Sequence, residues 1–365
     1  MAPYRTLTLS GDPFMMGRQH GEQVRDLRPH IVEAMAIRFR QVEEDEVDER
    51  FRTLLYETRM AIEWTGRPLL EMIRGQAEAL DLEFETLLRY DLISYLRDEL
   101  LVRRHLGSEG CTTWAASGHC TRDHKPILVK NRDYRPEHLP LQCVVRASPS
   151  QGYRYTYISS AGSPGVFSAG INQAGLAVAD THVYSSDLGP GLPDYAMMMH
   201  LLEHHARVAP ALDYLRSIPR LGRNNLILAD ETGHLAVFES GHNRYGLFEV
   251  HGRALVNTNH YASAEMQEHY VSVDPPEARG RTFRRHGSVS AALQEAWGTV
   301  DVAFAQNLMA SHDGPLSSLC CHPEAGTNVE TISASIFLPA ERKLLFCHGL
   351  PCRGHYDEYS LAAES

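Results

Sequence analysis

SEGCTTW, residues 108–114, lies at the point where the sequence changes from helical to β-type patterning. Before it, apolar residues recur at helical spacing, as in Phe84–Leu101. After it, short runs of β-favouring residues alternate with Gly, Pro, Asn and Asp. This change predicts a mostly helical front part, residues 1–110, and a β-rich remainder, residues 111–365, that meet at Cys111.

The front part is expected to begin with a short extended stretch, Tyr4–Leu9, followed by a helix. Ser10 or Asp12 can cap that helix, because a side-chain oxygen accepts from free N–H groups of the first turn, where Pro13 also fits. The acidic segment 41–50 is interpreted as a solvated connector or helix face. The front part is therefore predicted to be helical after one extended stretch.

The β-rich part carries many short strand patterns and two helical blocks. The strand patterns include PILVKN, YRYTYISS, GLAVADTHVY, NLILAD, LAVFES and TISASIFLP. The helical blocks are Tyr195–Leu215 and Ser288–Ala305. Many strands interrupted by a few helices are typical of layered folds with largely antiparallel sheets, so these patterns predict a layered α/β architecture.

Composition restricts the classes of protein to which the chain can belong. Its 365 residues suit one large or two modest domains, and 43% hydrophobic with 22% charged residues is ordinary for a globular protein. The net charge of −11 argues against a nucleic-acid partner, because a phosphate-binding protein carries a basic face. No run approaches the ~18 apolar residues of a membrane span, and MAPYRTLTLS lacks a secretory-signal pattern. We therefore expect a cytoplasmic protein with no membrane partner.

The cysteines and histidines do not predict a metal site. Seven cysteines, an odd number, favour reduced thiols over a disulfide framework. Cys320 and Cys321 are adjacent, and Cys347 and Cys352 are five residues apart, so neither pair has the CxxC spacing that zinc sites favour. The string HLLEHHARV (200–208) spaces two histidines as a zinc helix does, but it lacks the HExxH order, which favours a solvated helix face.

Cys111 is the candidate nucleophile. Gly110 gives the backbone freedom just before it, and a thiol there can attack the preceding carbonyl carbon, shifting the chain from amide to thioester. Hydrolysis would release a new α-amine on Cys111, whose pKa of roughly 8 in a free peptide suits a general base for its own thiol. The alternative is a buried cysteine that only opens a strand, since free cysteines are commonly buried.

Three further polar strings accompany this cysteine. KNRDY (130–134) places Asp133 where its carboxylate can orient an N-terminal ammonium, and Arg132 where it would favour a thiolate. Asn225 opens the strand NLILAD, and its amide can donate to an oxyanion. Asn172 in GINQAGLAV is either a turn residue or a polar group on the substrate side. For Asp133 and Asn225, the alternatives are a turn-capping aspartate and an ordinary edge asparagine.

In their shared order and spacing, these strings resemble the penicillin acyltransferase family of N-terminal-nucleophile hydrolases, known from isopenicillin-N acyltransferase. The resemblance runs along nearly the whole chain and rests on GDPFMMGRQHGE, GCTTW, KNRDY, GINQAGLAV, NLILAD, VNTNHY and TISASIFLPAERKLLFCHGLPC. It implies an α+β fold, the four-layer αββα sandwich. It also implies autocatalytic cleavage between Gly110 and Cys111 into a small α chain, 1–110, and a β chain, 111–365, that stay associated in one integrated fold.

The resemblance also implies roles for individual residues. Cys111 matches the nucleophile, Asp133 the residue that orients its amine, and Asn225 the oxyanion-hole asparagine. An arginine of RTFRRH fits the family's late catalytic arginine, and Arg284 is favoured. The candidates that stay open beside it are Arg281 and Arg285.

Substrate contacts are expected from Arg132, Tyr134 and Asn172. Arg132 stands where the family often has an aromatic residue, which bears on the acyl preference. Glu109 stands where the family often has Asp before the glycine, a difference that can tune the cleavage rate.

The implied reaction is acyl transfer through a thioester on Cys111, with water or an amine as acceptor, so that a small-molecule amide is hydrolysed or formed. No metal or organic cofactor is required, although a thioester donor would arrive on coenzyme A or an acyl carrier protein. A role in secondary metabolism, such as antibiotic biosynthesis, fits this chemistry. The alternative is a catalytically inactive relative that binds a ligand or acts as a scaffold, because fold alone does not guarantee activity. The sequence leaves open whether the chain forms a homo-oligomer.

Overall fold

Two β-sheets lie face to face, and helices cover the outer face of each sheet. A computed structural model of the chain describes residues 4–42, 49–96, 110–163, 165–272, 274, 279–314, 317–323 and 329–362. Glu109 and most of the acidic segment 41–50 lie outside the described residues.

An eight-stranded sheet and a six-stranded sheet are built from fourteen strands of the described chain. The eight-stranded order is β1-β4-β5-β6-β7-β8-β9-β10, and the six-stranded order is β11-β2-β3-β12-β13-β14. Only the β1–β4 pairing is parallel among these described pairs. The strands are β1 (Arg5–Gly11), β2 (Gly110–Ala116), β3 (Ile127–Tyr134), β4 (Gln142–Pro149), β5 (Tyr155–Ser160), β6 (Ala169–Asn172), β7 (Ala177–His182), β8 (Asn224–Ala229), β9 (His234–Ser240), β10 (Tyr245–His251), β11 (Ala254–Asn257), β12 (Glu330–Leu338), β13 (Lys343–His348) and β14 (Tyr356–Ser360).

The helices form the two outer layers. Helices α1 to α7 supply the layer on the eight-stranded sheet, and α9 and α10 supply the layer on the six-stranded sheet. The described helices are α1 (Pro13–Gln23), α2 (Arg28–Val42), α3 (Glu49–Thr65), α4 (Arg67–Leu80), α5 (Phe84–Leu96), α6 (Asp194–His204), α7 (Val208–Ser217), α8 (Ala264–Gln267), α9 (Arg281–Glu295) and α10 (Val302–Met309).

The period-two alternation of β2 and β3 separates two cores. Ala115 and Leu128 pack between the two sheets, whereas Trp114 and Val129 pack under the outer helices α9 and α10. Successive side chains of both strands therefore point alternately into the space between the sheets and out toward the helices. This alternation confirms the predicted four-layer αββα arrangement of an α+β fold.

The front part packs tightly onto the eight-stranded sheet. Strand β1 pairs with β4 and buries Leu7 and Leu9 under the helices. Helices α1 and α4 cross so closely that a Cβ atom at Gly17 would overlap the Met72 carbonyl oxygen, and one at Gly75 would overlap that of Phe14. Only glycine permits this approach of two backbones.

Several local predictions are confirmed, with one refinement. The extended stretch at Tyr4–Leu9 is strand β1, and Asp12, not Ser10, caps α1 by accepting from the Met15 N–H. The predicted helical blocks Tyr195–Leu215 and Ser288–Ala305 each span parts of two helices, because the chain turns between α6 and α7 and between α9 and α10. Within the described chain, no helix is long and apolar enough to cross a bilayer.

Candidate active site at Cys111

Cys111 is the second residue of β2 and lies on the inter-sheet side of that strand. It pairs with Arg132 on β3, and period-two alternation places it on the same face as Ala115, which belongs to the inter-sheet core. Its side chain lines a cavity between the helices and the two sheets. The described residues lining that cavity are Tyr90, Asp91, Cys111, Lys130, Arg132, Asp133, Tyr134, His138, Ser160, Ser163, Phe167, Asp180, His182, Asp194 and Asn259.

The main-chain atoms of Cys111 are held on both sides. Its N–H donates to Asn259 Oδ1 at 2.8 Å, and its carbonyl oxygen accepts from Arg285 Nη1 at 2.5 Å. The same guanidinium donates to Thr112 Oγ1 at 2.7 Å and to Asn259 Oδ1 at 2.7 Å. Because guanidinium nitrogens only donate, the oxygen of Asn259 must face Arg285, which fixes the orientation of this amide. Asn259 and Arg285 therefore form one hydrogen-bonded clamp on the backbone of Cys111.

The arginine prediction needs correction. Arg284 was favoured, but its side chain lies exposed on α9, whereas Arg285 is buried and contacts Cys111 directly. Adjacent residues on a helix point about 100° apart, so only one of them can face β2. Arg281, one turn earlier, reaches Cys321 Sγ at 3.0 Å instead. Arg285 is thus the arginine at the site.

The structure does not place Asn225, the predicted oxyanion-hole asparagine, in contact with Cys111. The Nδ2 of Asn225 donates to Asn257 Oδ1 at 2.8 Å and to the carbonyl oxygens of Thr258 and His260, each at 3.1 Å. An amide has only two N–H bonds, so these acceptors and Thr181 Oγ1 already exceed its capacity. Asn225 supports the turn after β11, and Asn259 on that turn is the asparagine that contacts Cys111. The string VNTNHY was recognised in the sequence, but no role was assigned to its asparagines.

Asp133 lies beside the Gly110–Cys111 peptide. It pairs with Gly110 across β2 and β3, and its Oδ1 accepts from Thr331 Oγ1 at 2.6 Å. A Cβ atom on Gly110 would lie 3.0 Å from Asp133 Oδ2, so the absence of a side chain there lets the carboxyl approach the backbone. Burial raises the pKa of Asp133, and the positive charge of Arg285 acts against that rise. Asp133 thus lies beside Gly110 and Cys111, and its role in orienting an amine on Cys111 stays a prediction.

The Cys111 thiol is poorly ionised in the intact chain. Burial raises its pKa to about 11, with the charge of Lys130 acting in the opposite direction. Lys130 is buried and spans the space between the sheets, where its Nζ donates to Asp180 Oδ1 at 2.5 Å and to the Ser168 carbonyl oxygen at 3.1 Å. Lys130 was not among the site residues predicted from the sequence, although a charged residue within the strand pattern PILVKN was a usable signal.

Arg132 and Tyr134 both line the cavity, as expected for groups that contact a substrate. The Arg132 guanidinium carbon lies 4.9 Å from the centroid of the Tyr134 ring, a cation–π contact. The Tyr134 hydroxyl accepts from Arg38 Nη2 at 2.5 Å, which ties the cavity wall to helix α2. Their contact with a substrate stays a prediction.

Asn172 does not belong to the cavity wall. Its Nδ2 donates to the carbonyl oxygens of Leu202 and His205, and its Oδ1 accepts from the N–H groups of Ala174 and Leu176. All of these partners are main-chain groups of the β6–β7 turn and of the end of α6. The turn-residue alternative therefore describes Asn172, and the expectation of a substrate contact is wrong.

Residues 120–352 match the protein-family profile described as acyl-coenzyme A:6-aminopenicillanic acid acyl-transferase. The match covers well over half of the 365-residue chain and contains Asp133, Asn259 and Arg285, while Cys111 precedes it. No curated protein matches the sequence significantly.

Solved structures with low sequence identity are similar to this chain. A mutant of the conjugated bile acid hydrolase from Clostridium perfringens has 12% identity and a TM-score of 0.48, covering 70% of this chain and 93% of that one. The N-acylethanolamine-hydrolyzing acid amidase ortholog of Caenorhabditis elegans has 15% identity and a TM-score of 0.45, with coverages of 63% and 93%. Penicillin V acylase from Agrobacterium tumefaciens has 16% identity and a TM-score of 0.43, with coverages of 69% and 87%.

Proposed function

The chain belongs to the acyl-coenzyme A:6-aminopenicillanic acid acyltransferase family, and we propose that it is a self-cleaving enzyme with Cys111 as its nucleophile. In this proposal it cuts its own chain between Gly110 and Cys111. It then transfers an acyl group through a thioester on Cys111, forming or hydrolysing a small-molecule amide. The observation that carries the proposal is the clamp of Asn259 and Arg285 on the backbone of a cysteine whose side chain lines a cavity.

Self-cleavage begins with attack of the Cys111 sulfur on the Gly110 carbonyl carbon. The C–N bond breaks as the C–S bond forms, the thiol proton passes to the nitrogen, and water then hydrolyses the thioester. The product is a Gly110 carboxylate and a free amine on Cys111. Asp133 supports this step because its carboxyl already lies beside Gly110 and would remain beside the new ammonium.

The need for cleavage follows from the pKa of the thiol. With a pKa of about 11, roughly one Cys111 thiol in 10⁴ is ionised at pH 7. A free α-amine has a pKa of roughly 8 and can take the thiol proton as sulfur attacks the substrate. Cleavage thus supplies the base that the buried thiol lacks, because the new amine and the thiol belong to the same residue, Cys111.

During turnover, the thiolate attacks the acyl carbonyl of the donor and an oxyanion develops. We assign the stabilisation of this oxyanion to Asn259. Its amide nitrogen faces away from Arg285 and toward the cavity residue His182, and it donates to the His182 carbonyl oxygen at 2.9 Å. The Cys111 amine then protonates the leaving group and later deprotonates the incoming water or amine. A thioester donor would be carried by coenzyme A or a carrier protein, and no metal takes part in these steps.

The cavity wall favours a polar acyl or amide substrate. Lys130 and Asp180 pair with each other within the wall that Cys111 shares. The buried Nη1 of Arg132, on the same wall, has no hydrogen-bond partner among the described residues, so a polar substrate group can accept from it and a purely apolar acyl chain cannot. We therefore propose a small, polar substrate over a long hydrocarbon chain. Membership of the acyltransferase family supports a place in secondary metabolism, including antibiotic biosynthesis, as part of the same proposal.

Intact-protein mass spectrometry tests the proposal. Two fragments that separate at Cys111 are expected from the wild-type chain, and one uncut chain from Cys111→Ala. Incubation with a panel of acyl thioesters and amides should leave an acyl group on the cleaved β chain. An active Cys111→Ala variant, or a single uncut wild-type chain that accepts no acyl group, would contradict the proposal and favour a binding protein.

A further inference from the structure

Four metal-ligating side chains converge at one corner of the six-stranded sheet, outside the cavity at Cys111. His312 follows α10, Cys320 and His322 lie in the segment before β12, and Cys352 lies in the turn after β13. Their potential ligand atoms all lie within 4.8 Å of one another. We propose that these four side chains bind one zinc ion, which joins three separate segments of the chain.

The geometry around His322 is not explained by hydrogen bonding alone. Its Nε2 lies 2.9 Å from His312 Nε2, 3.3 Å from Cys352 Sγ and 3.7 Å from Cys320 Sγ. A ring nitrogen carries either one hydrogen or one lone pair in its plane, so it serves one partner well and not three. A cation placed among the four atoms satisfies all of them at once, each through its own lone pair.

The ligand set selects zinc. Two thiolates and two imidazoles form the Cys₂His₂ set of structural zinc sites, with Zn–S bonds of about 2.3 Å and Zn–N bonds of about 2.0–2.1 Å. Tetrahedral bonds of those lengths place neighbouring ligand atoms roughly 3.3–3.8 Å apart, close to the separations around His322. Binding releases the two thiol protons, so the loaded site has no net charge.

The four protein ligands leave no open coordination position, which indicates a structural role and not a catalytic one. Cys320 is buried, while His312 is exposed, so an ion can enter from solvent and then be enclosed. Neither the cysteines nor the histidines of the cluster line the cavity that Cys111 shares. The expectation of no metal site, drawn from cysteine spacing, is revised because the ligands come from three segments that only the fold brings together.

The segment that carries Cys320 also supports the nucleophile's neighbours. The Cys321 N–H donates to Thr331 Oγ1 at 2.8 Å, and that hydroxyl donates to Asp133 Oδ1. The Leu319 carbonyl oxygen accepts from Asn131 Nδ2 at 2.8 Å. Zinc bound at the adjacent residues would therefore hold in place the segment that fixes Asp133.

The test uses the full chain, purified without a histidine tag and without chelators. Inductively coupled plasma mass spectrometry should find roughly one zinc per chain in the wild type. Cys320→Ser and Cys352→Ser should each lower that content about tenfold or more. The matched control is Cys143→Ala, which removes a buried thiol of the other sheet and should keep the zinc content of the wild type.

A second measurement does not depend on the folding of variants. Wild-type protein stripped of metal and loaded with Co²⁺ should show the visible bands of a tetrahedral site and the ultraviolet bands of cobalt–thiolate bonds. Zinc should restore the Tm of the stripped protein. The proposal is overturned if the wild type, dialysed after zinc addition, holds no more zinc than Cys320→Ser. A mass lower by two hydrogens, mapped to a Cys320–Cys352 disulfide in the freshly purified protein, would also overturn it.

Discussion

Arg285→Ala is the substitution that most directly tests the clamp on the nucleophile. It removes the hydrogen bonds to the Cys111 carbonyl oxygen at 2.5 Å, to Thr112 Oγ1 at 2.7 Å and to Asn259 Oδ1 at 2.7 Å. It also removes the positive charge that opposes the raised pKa of the buried Asp133. The variant therefore loses three contacts and leaves a carboxyl that is harder to ionise.

The structure sets the size of the effect. Removing a hydrogen-bond donor leaves each buried acceptor unsatisfied, which costs about 1–3 kcal/mol per group, and Arg285 serves three such acceptors. Since Arg285 is 3% exposed, solvent does not replace its hydrogen bonds in the folded state. We expect the free energy of unfolding to fall by about 3–5 kcal/mol, and self-cleavage to slow at least tenfold as Cys111 loses its orientation.

The assay combines urea unfolding with intact-mass measurement of the cleaved fraction over time. Arg284→Ala is the matched control, and because its side chain is exposed it should change the free energy of unfolding by no more than about 0.5 kcal/mol. Arg285→Lys should have a stability and a cleavage rate between those of Arg284→Ala and Arg285→Ala. Its ammonium group keeps the charge but cannot bridge Cys111 and Asn259 as a planar guanidinium does. The reasoning is refuted if Arg284→Ala is as damaging as Arg285→Ala, or if Arg285→Ala keeps wild-type stability and cleavage.

The other predictions concern the asparagines, the thiol and the half-buried Glu203. Asn259→Ala should slow turnover by ~100-fold or more in steady-state kinetics, as the loss of an oxyanion donor does. Asn225→Ala should mainly lower the free energy of unfolding, and the reverse pattern would restore the sequence-based assignment of Asn225. Because the pKa of Cys111 is about 11 before cleavage, the thiolate fraction and with it the self-cleavage rate should rise about tenfold per pH unit between pH 7 and 9. A flat pH profile would show that thiol ionisation does not limit the cut. Burial raises the pKa of Glu203 from 4.5 to about 7, so its stabilising contribution is present at low pH and is lost as the pH rises between these values. The variant Glu203→Gln cannot ionise at this position and should not lose that stability. The difference in free energy of unfolding, variant minus wild type, should therefore increase from pH 4.5 to pH 7. A difference that stays constant over this range in urea unfolding would refute the prediction.

The sequence predicted the layers of the fold and the closeness of Cys111 and Asp133, which form one half of the candidate site. Cys111 and Asp133 could be found because β2 and β3 are consecutive strands with a short connection, so local patterns suffice to make them neighbours. Along β2 and β3, side chains point alternately to the two faces of the sheet, as the local sequence pattern predicts. Trp114 and Ala115 accordingly lie on opposite faces. Such features depend on residues close in sequence, where strand periodicity is informative.

The other half of the site depends on contacts between residues distant in the chain. Asn259 lies 148 residues from Cys111 and reaches it only because β11 pairs with β2 at the edge of the sheet. The choice between Arg284 and Arg285 depends on how α9 is rotated against β2, which a string with three arginines cannot specify. Lys130 was recognisable as a charged residue within a strand, but its partner Asp180 comes from the opposite sheet.

The position of the clamp bears on how one site can serve both self-cleavage and turnover. Asn259 and Arg285 hold the nitrogen and the carbonyl oxygen of Cys111 itself, and both partners lie on the C-terminal side of the proposed cut. Breaking the Gly110–Cys111 bond removes none of these contacts. The amide N–H becomes an amine at the same place, still facing the Asn259 oxygen, while departure of the Gly110 carbonyl vacates space beside Asp133. In the proposed mechanism, the Cys111 sulfur, its new amine and the Asp133 carboxyl are therefore in position as soon as the chain is cut, because Cys111 and the residues after it in β2 keep their contacts.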